Sequence, residues 1–96
     1  VVVKKGGQGA ELFSNEENIK IGAYKVNVVD PTGAGDVFGG AFISTLAQGG
    51  TLSDSLVNGS AMASFCVEGF GTSSILSVSE EELEYRKSNL YSTLSS

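Results

Sequence analysis

Asp30-Pro31-Thr32-Gly33-Ala34-Gly35-Asp36 joins two different kinds of chain. Before it lies the apolar run Val26 to Val29. After it Val37, Phe38, Ala41, Phe42 and Leu46 recur at helical spacing. A strand that ends in a turn of small residues at a helix N-terminus exposes several backbone N–H groups together. The helix dipole adds about half a positive charge at that end. Such a place binds anions, phosphates above all. Asp36 falls in the first helical turn, so a carboxylate stands beside the anion site. A phosphate cradle with an adjoining base is suited to activating a hydroxyl toward a phosphoryl group.

The other glycine-rich phosphate loops do not fit. A P-loop needs Lys-Ser or Lys-Thr after its last glycine, and no lysine follows Gly33 or Gly35. A dinucleotide fingerprint needs a third glycine where Phe38 stands. The plainer alternative is a turn whose aspartates only cap a helix, since Asp is favoured there. Two carboxylates, a threonine and three small residues in succession exceed what capping requires.

Outward from this motif the pattern is α/β. Residues 1–5 read as a strand, Gly6 to Gly9 as a turn, and Ala10 to Phe13 as a short strand. The run Val1-Val2-Val3 suits a strand buried on both faces, as though cut from a longer protein. Ile19 to Val29 reads as extended, in two strands broken near Gly22. A first helix runs from about Gly35 to Gln48 and stops at Gly49-Gly50. Thr51 caps a second, with Asp54 completing a capping box, and this helix reaches about Val67. A third begins with Ser79 as cap, Glu82 at the third helical position and Val78 against Leu83. Its apolar stripe is Leu83, Leu90, Tyr91 and Leu94. Met62, Phe65 and Cys66 read as core, and Glu80-Glu81-Glu82 as complements to the helix dipole.

Composition limits the rest. The chain has 96 residues, which suits one small domain at most. Its net charge of −5 argues against a nucleic-acid partner, which would need a basic face. No apolar run approaches the ~20 residues of a membrane span. One cysteine leaves no intrachain disulfide, consistent with the cytoplasm. The absence of histidine removes His-based triads, bases and zinc sites from this chain.

The thirteen residues Asp30 to Phe42 closely resemble the C-terminal signature of the ribokinase-like, or PfkB, carbohydrate and nucleoside kinases. Val1 to Ala10 is similar to that family's strand and G-x-x-G nucleotide loop. Asn58 and the small residues up to Gly69 form a weaker third match. The resemblance covers residues 1 to about 75 and implies the C-terminal, nucleotide-binding portion of a three-layer α/β/α sandwich. It implies transfer of the ATP γ-phosphoryl group to a sugar or nucleoside hydroxyl, with Mg2+.

Residue by residue, Asp36 is then the base, and the amides of Gly33, Ala34, Gly35 and Asp36 are the anion hole. Gly6, Gly9 and Asn58 lie along the nucleotide. Asp30 and Thr32 are candidates to hold a monovalent cation such as K+, with further oxygens from the region of Ser64, Val67, Gly69 and Ser73. Pro31 and the pair Lys4-Lys5 depart from common family choices. The family's substrate pocket and its magnesium-organising acidic motif belong to an N-terminal portion that this chain lacks. The isolated piece is therefore expected to be inactive, and a homodimer is a possibility for the parent enzyme. The rival reading is a non-catalytic nucleotide-binding or interaction module that keeps the fold.

Overall fold

A computed structural model of the chain describes residues 2–4, 9–14, 18–22, 24, 33–67 and 80–95. Among them three strands, β1 (Val2–Lys4), β2 (Ala10–Phe13) and β3 (Asn18–Ile21), form an antiparallel sheet in the order β1-β2-β3. Among the described residues three helices follow: α1 (Ala34–Ala47), α2 (Leu52–Val67) and α3 (Glu80–Tyr91). Apart from Tyr24, the second strand expected after Gly22 lies outside the described residues, as do Val78 of the staple and the Ser79 cap.

Strand periodicity determines which sheet face is covered. Successive side chains alternate faces. Ala10, Leu12, Ile19 and Ile21 are buried, while Phe13, Asn18 and Lys20 are exposed. The register pairs Ala10 with Ile21 and Leu12 with Ile19 on the inner face. Glu11 opposes Lys20 on the outer face, a favourable cross-strand charge pairing. Residues 1–3 read as a strand buried on both faces in a longer protein; within this chain Val3 is 41% exposed. In an antiparallel pair with one face covered, every second residue of a strand must look outward.

Gly9 shows why the β1–β2 connection needs glycine. Its φ is +98°, and a Cβ there would lie 2.0 Å from the Ile21 carbonyl oxygen. Beyond α3 the chain returns to the sheet. Lys20 and Ser95 exchange both backbone hydrogen bonds, at 2.7 and 2.9 Å. The Gly22 N–H donates to Thr93 Oγ1 at 2.9 Å.

The core centres on α2, whose Leu56, Val57 and Ala61 are completely buried. They meet the inner sheet face, Phe38 of α1 and Leu90 of α3 in one apolar cluster. Gly59 permits the close crossing of α1 and α2. A Cβ there would sit 3.0 Å from the Phe38 carbonyl oxygen. Phe65 and Cys66 are core residues as expected, whereas Met62 is only half-buried. Among the described residues, no helix is long and apolar enough to cross a membrane.

Helix ends follow local chemistry closely. α1 closes on a Schellman motif. Gly49 has φ +88°, its N–H donates to Leu46 C=O at 3.0 Å, and the Gly50 N–H donates to Thr45 C=O at 2.9 Å. α2 opens on the expected capping box. The Asp54 N–H donates to Thr51 Oγ1 at 3.0 Å, and the Thr51 N–H donates to Asp54 Oδ2 at 3.2 Å.

Candidate functional site

The start of α1 is built differently. Gly33 is the residue before the helix and adopts φ 84°, ψ −7°, with no side-chain cap. L-residues with a side chain avoid that region, so glycine is required here. The first N–H with a helical acceptor is that of Val37, which donates to Gly33 C=O at 3.0 Å. The N–H groups of Ala34, Gly35 and Asp36 precede it, with no backbone acceptor among the described residues. These are the donors that a helix leaves unpaired at its N-terminus. Gly35 is half a turn inside the helix and does not share the positive φ of Gly33. The Asp36 side chain is exposed at the same end.

Behind this turn α1 offers an open face. Gly39 and Gly40 have no heavy atom within 4 Å of a would-be Cβ, and Ile43, one turn further, is 68% exposed. On the opposite side Phe38 is buried and stacks on Phe42 with ring centroids 6.0 Å apart. Phe38 thereby anchors the first turn to α2 while Asp36 looks away from it.

The remaining candidates are dispersed. Asn58 is half-buried between α1 and α2, and its Nδ2 donates to Thr45 Oγ1 at 2.9 Å. Thr45 is nine residues along α1 from Asp36, a separation of about 13 Å at 1.5 Å per residue. Gly9 is accounted for by its contact with the end of β3. Gly6, Asp30, Thr32, Gly69 and Ser73 lie outside the described residues.

Ser64, in the region expected to lend oxygens to a cation site, has its hydroxyl engaged within the protein. It sits within α2, buried, and its Oγ donates to Ala61 C=O at 2.6 Å. That oxygen also accepts from Arg86 Nη1 at 2.9 Å. A hydroxyl already facing a guanidinium is a poor ligand for a second cation. Among the described residues no group of three or more acidic or cysteine side chains could hold a metal ion.

Arg86 is not among the residues singled out from the sequence, where α3 is read through its apolar stripe and its acidic first turn. It is 6% exposed. The available signal was its position three residues after Leu83 and four before Leu90, on the face those leucines define.

Similarity to known proteins places the chain in a family. Residues 1–79 match the model of the pfkB family carbohydrate kinases. The chain belongs to that family. It is 33% identical over 89 residues to a deoxyribokinase of Salmonella typhi, covering 93% of this chain and 29% of that protein. It is 38% identical over 72 residues to a nucleoside kinase of Methanocaldococcus jannaschii, covering 74% of this chain and 24% of the relative. A solved Escherichia coli protein described as a ribokinase II, in complex with ATP and Mg2+, superposes with a TM-score of 0.73. The two are 35% identical over 92% of this chain and 28% of that one. The ribokinase-like α/β fold is therefore established, and the chain spans under a third of the length of the relatives it matches. The described residues supply the sheet and the helices on its inner face.

Proposed function

We propose that the protein carrying this chain transfers the γ-phosphoryl group of ATP to a hydroxyl of a sugar or nucleoside. The reading is carried by one observation: the first turn of α1 has no side-chain cap, and its aspartate is exposed beside amides that have no backbone acceptor among the described residues. In this reading the acceptor hydroxyl loses its proton to the Asp36 carboxylate. A bond forms between the acceptor oxygen and the γ-phosphorus, and the bond from that phosphorus to the β–γ bridging oxygen breaks. The amides of Gly33, Ala34, Gly35 and Asp36 stabilise the charge on the transferring group. Phosphoryl transfer leaves little covalent work to a protein, so positioning and charge stabilisation dominate.

The residues present suit a phosphate but not, by themselves, a metal. Mg2+ would neutralise charge on the phosphates, drawing its ligands from them and from residues beyond those described. Asp30 and Thr32 stay candidates for a monovalent cation on family resemblance alone. Asn58 has committed one amide N–H to Thr45, so toward a nucleotide it would offer its carbonyl oxygen or its second N–H. Gly6 and Gly9 would border the nucleotide through the loop that joins β1 to β2.

We also infer that this chain is the nucleotide-side part of a larger kinase unit, because the relatives it matches are more than three times as long. The isolated 96 residues should then give no turnover with ATP and a panel of sugars and nucleosides. The deciding experiment is Asp36→Asn in the full-length protein. General-base loss should lower kcat by about 10²-fold or more with ATP affinity retained. An unchanged kcat would remove Asp36 from the mechanism.

A further inference from the structure

We propose that Arg86, on α3, is a positioning residue that holds the first turn of α1 in place through α2. Its guanidinium is buried between two aromatic faces, 3.8 Å from the Phe65 ring centroid and 4.8 Å from that of Tyr24. Nη1 donates to Ser64 Oγ at 2.9 Å and Nε donates to Glu82 Oε1 at 3.2 Å. One flat cation thus ties three parts of the chain: α3, the second half of α2, and Tyr24 before the signature motif.

From there the connection to the site is short. Five residues before Ser64, Gly59 meets the backbone of Phe38. Phe38 lies two residues after Asp36 in the same helical turn. A shift of α2 relative to α1 would therefore be felt where the open amides and Asp36 stand.

Stability alone does not account for an arginine here. Removing a guanidinium from water is costly, and an apolar side chain in such a place is often neutral or better for stability. The partners would also survive its loss. Glu82 is half-exposed and can be hydrated, and Ser64 keeps its bond to Ala61. Methionine would fill the space between the rings but could not fix their angle. Arginine's planar fork fixes both a hydrogen-bond direction and a stacking plane, which an ammonium cannot do.

The test compares Arg86→Met and Arg86→Lys with the unaltered full-length protein, by thermal unfolding and by amide exchange of residues 34–38. Both variants should keep their Tm within about 2 °C while exchange in that segment accelerates roughly three- to thirtyfold, the range of indirect coupling between packed elements. Exchange confined to its original rate overturns the proposal. So does a variant that fails to fold, a uniform acceleration of all three helices with a falling Tm, or full recovery by lysine. If the protein phosphorylates an alcohol as proposed above, kcat/KM should fall by a similar factor. The exchange readout does not depend on that reading, so failure of the Asp36 assignment and failure of this one are separable.

Discussion

The starts of α1 and α2 make an instructive pair. Each helix carries an aspartate at its third position, Asp36 in one and Asp54 in the other. Three residues earlier stand Gly33 and Thr51, and that difference sends the two carboxylates in opposite directions. Thr51 brings a hydroxyl that accepts the Asp54 N–H, and Asp54 returns the bond to the Thr51 N–H. The second Asp54 oxygen accepts from the Tyr91 hydroxyl at 2.5 Å. Gly33 has no side chain to offer, and its left-handed φ turns the backbone so that Asp36 is left exposed. One helix start is consumed in stabilising the fold, while at the other the carboxylate is exposed and, among the described residues, the first-turn amides have no backbone acceptor.

The largest expected effects separate the two aspartates by kinetics. Against the loss of about 10²-fold or more at Asp36→Asn, Asp54→Asn should leave kcat unchanged in the full-length protein and cost about 1 kcal/mol or less of stability. A comparable kinetic loss at Asp54 would end the contrast. Gly33→Ser is next. It gives α1 the kind of side chain that caps α2, in a backbone conformation that costs a substituted residue about 1–2 kcal/mol. Urea unfolding should register that cost. The new hydroxyl would also compete for the first-turn amides, so ATP turnover should drop by about 10²-fold, as for loss of one anion-hole donor. A Gly33→Ser protein with normal turnover would show that those amides are not used. Thr51→Ala is smaller: about 1 kcal/mol of stability from the lost cap, with turnover and ATP affinity unaltered.

How much of this pair the sequence disclosed depends on the range of each interaction. The capping box at Thr51–Asp54, the glycine stop at Gly49-Gly50 and the turn at Gly33 rest on contacts within a few residues, and all three were legible. The sheet was legible in its short strands but not in its coverage. Val1-Val2-Val3 carries no alternation, and only the antiparallel pairing with β2 assigns Val3 to the outer face. The burial of Arg86 and the bond from Asn58 to Thr45 were illegible for a related reason. Arg86 meets Tyr24 and Phe65, far away in the chain, and Asn58 meets Thr45 across a helix crossing. The Asp36 site falls between these cases. Its local geometry follows from Gly33, but its openness depends on what α1 does not touch.

The smallest prediction concerns the contact that occupies Asp54, and it tests whether the α2 start is committed to the fold alone. The Tyr91 hydroxyl and the Thr51 backbone bond hold the Asp54 carboxyl below its ordinary 3.8. Tyr91 is pushed up from 10.0 to about 12, first by partial burial and then by its bond to Asp54, so only part of that rise belongs to the bond. A depressed carboxyl stabilises the fold above its unfolded value and loses that contribution as pH falls through the folded one. A raised phenol stabilises below its unfolded value and loses the contribution as pH climbs to the folded one. The bond between α2 and α3 should therefore contribute a constant amount from about pH 5 to 9, fading below 3.8 and again between 10.0 and about 12. Because the pair is solvent-exposed, Tyr91→Phe should cost only about 0.5 kcal/mol on that plateau. Urea midpoints for the two proteins, measured across the pH range, should run parallel in the middle and converge at both ends. Curves that stay parallel to pH 12 would mean that the phenol contributes through its ring and not through Asp54.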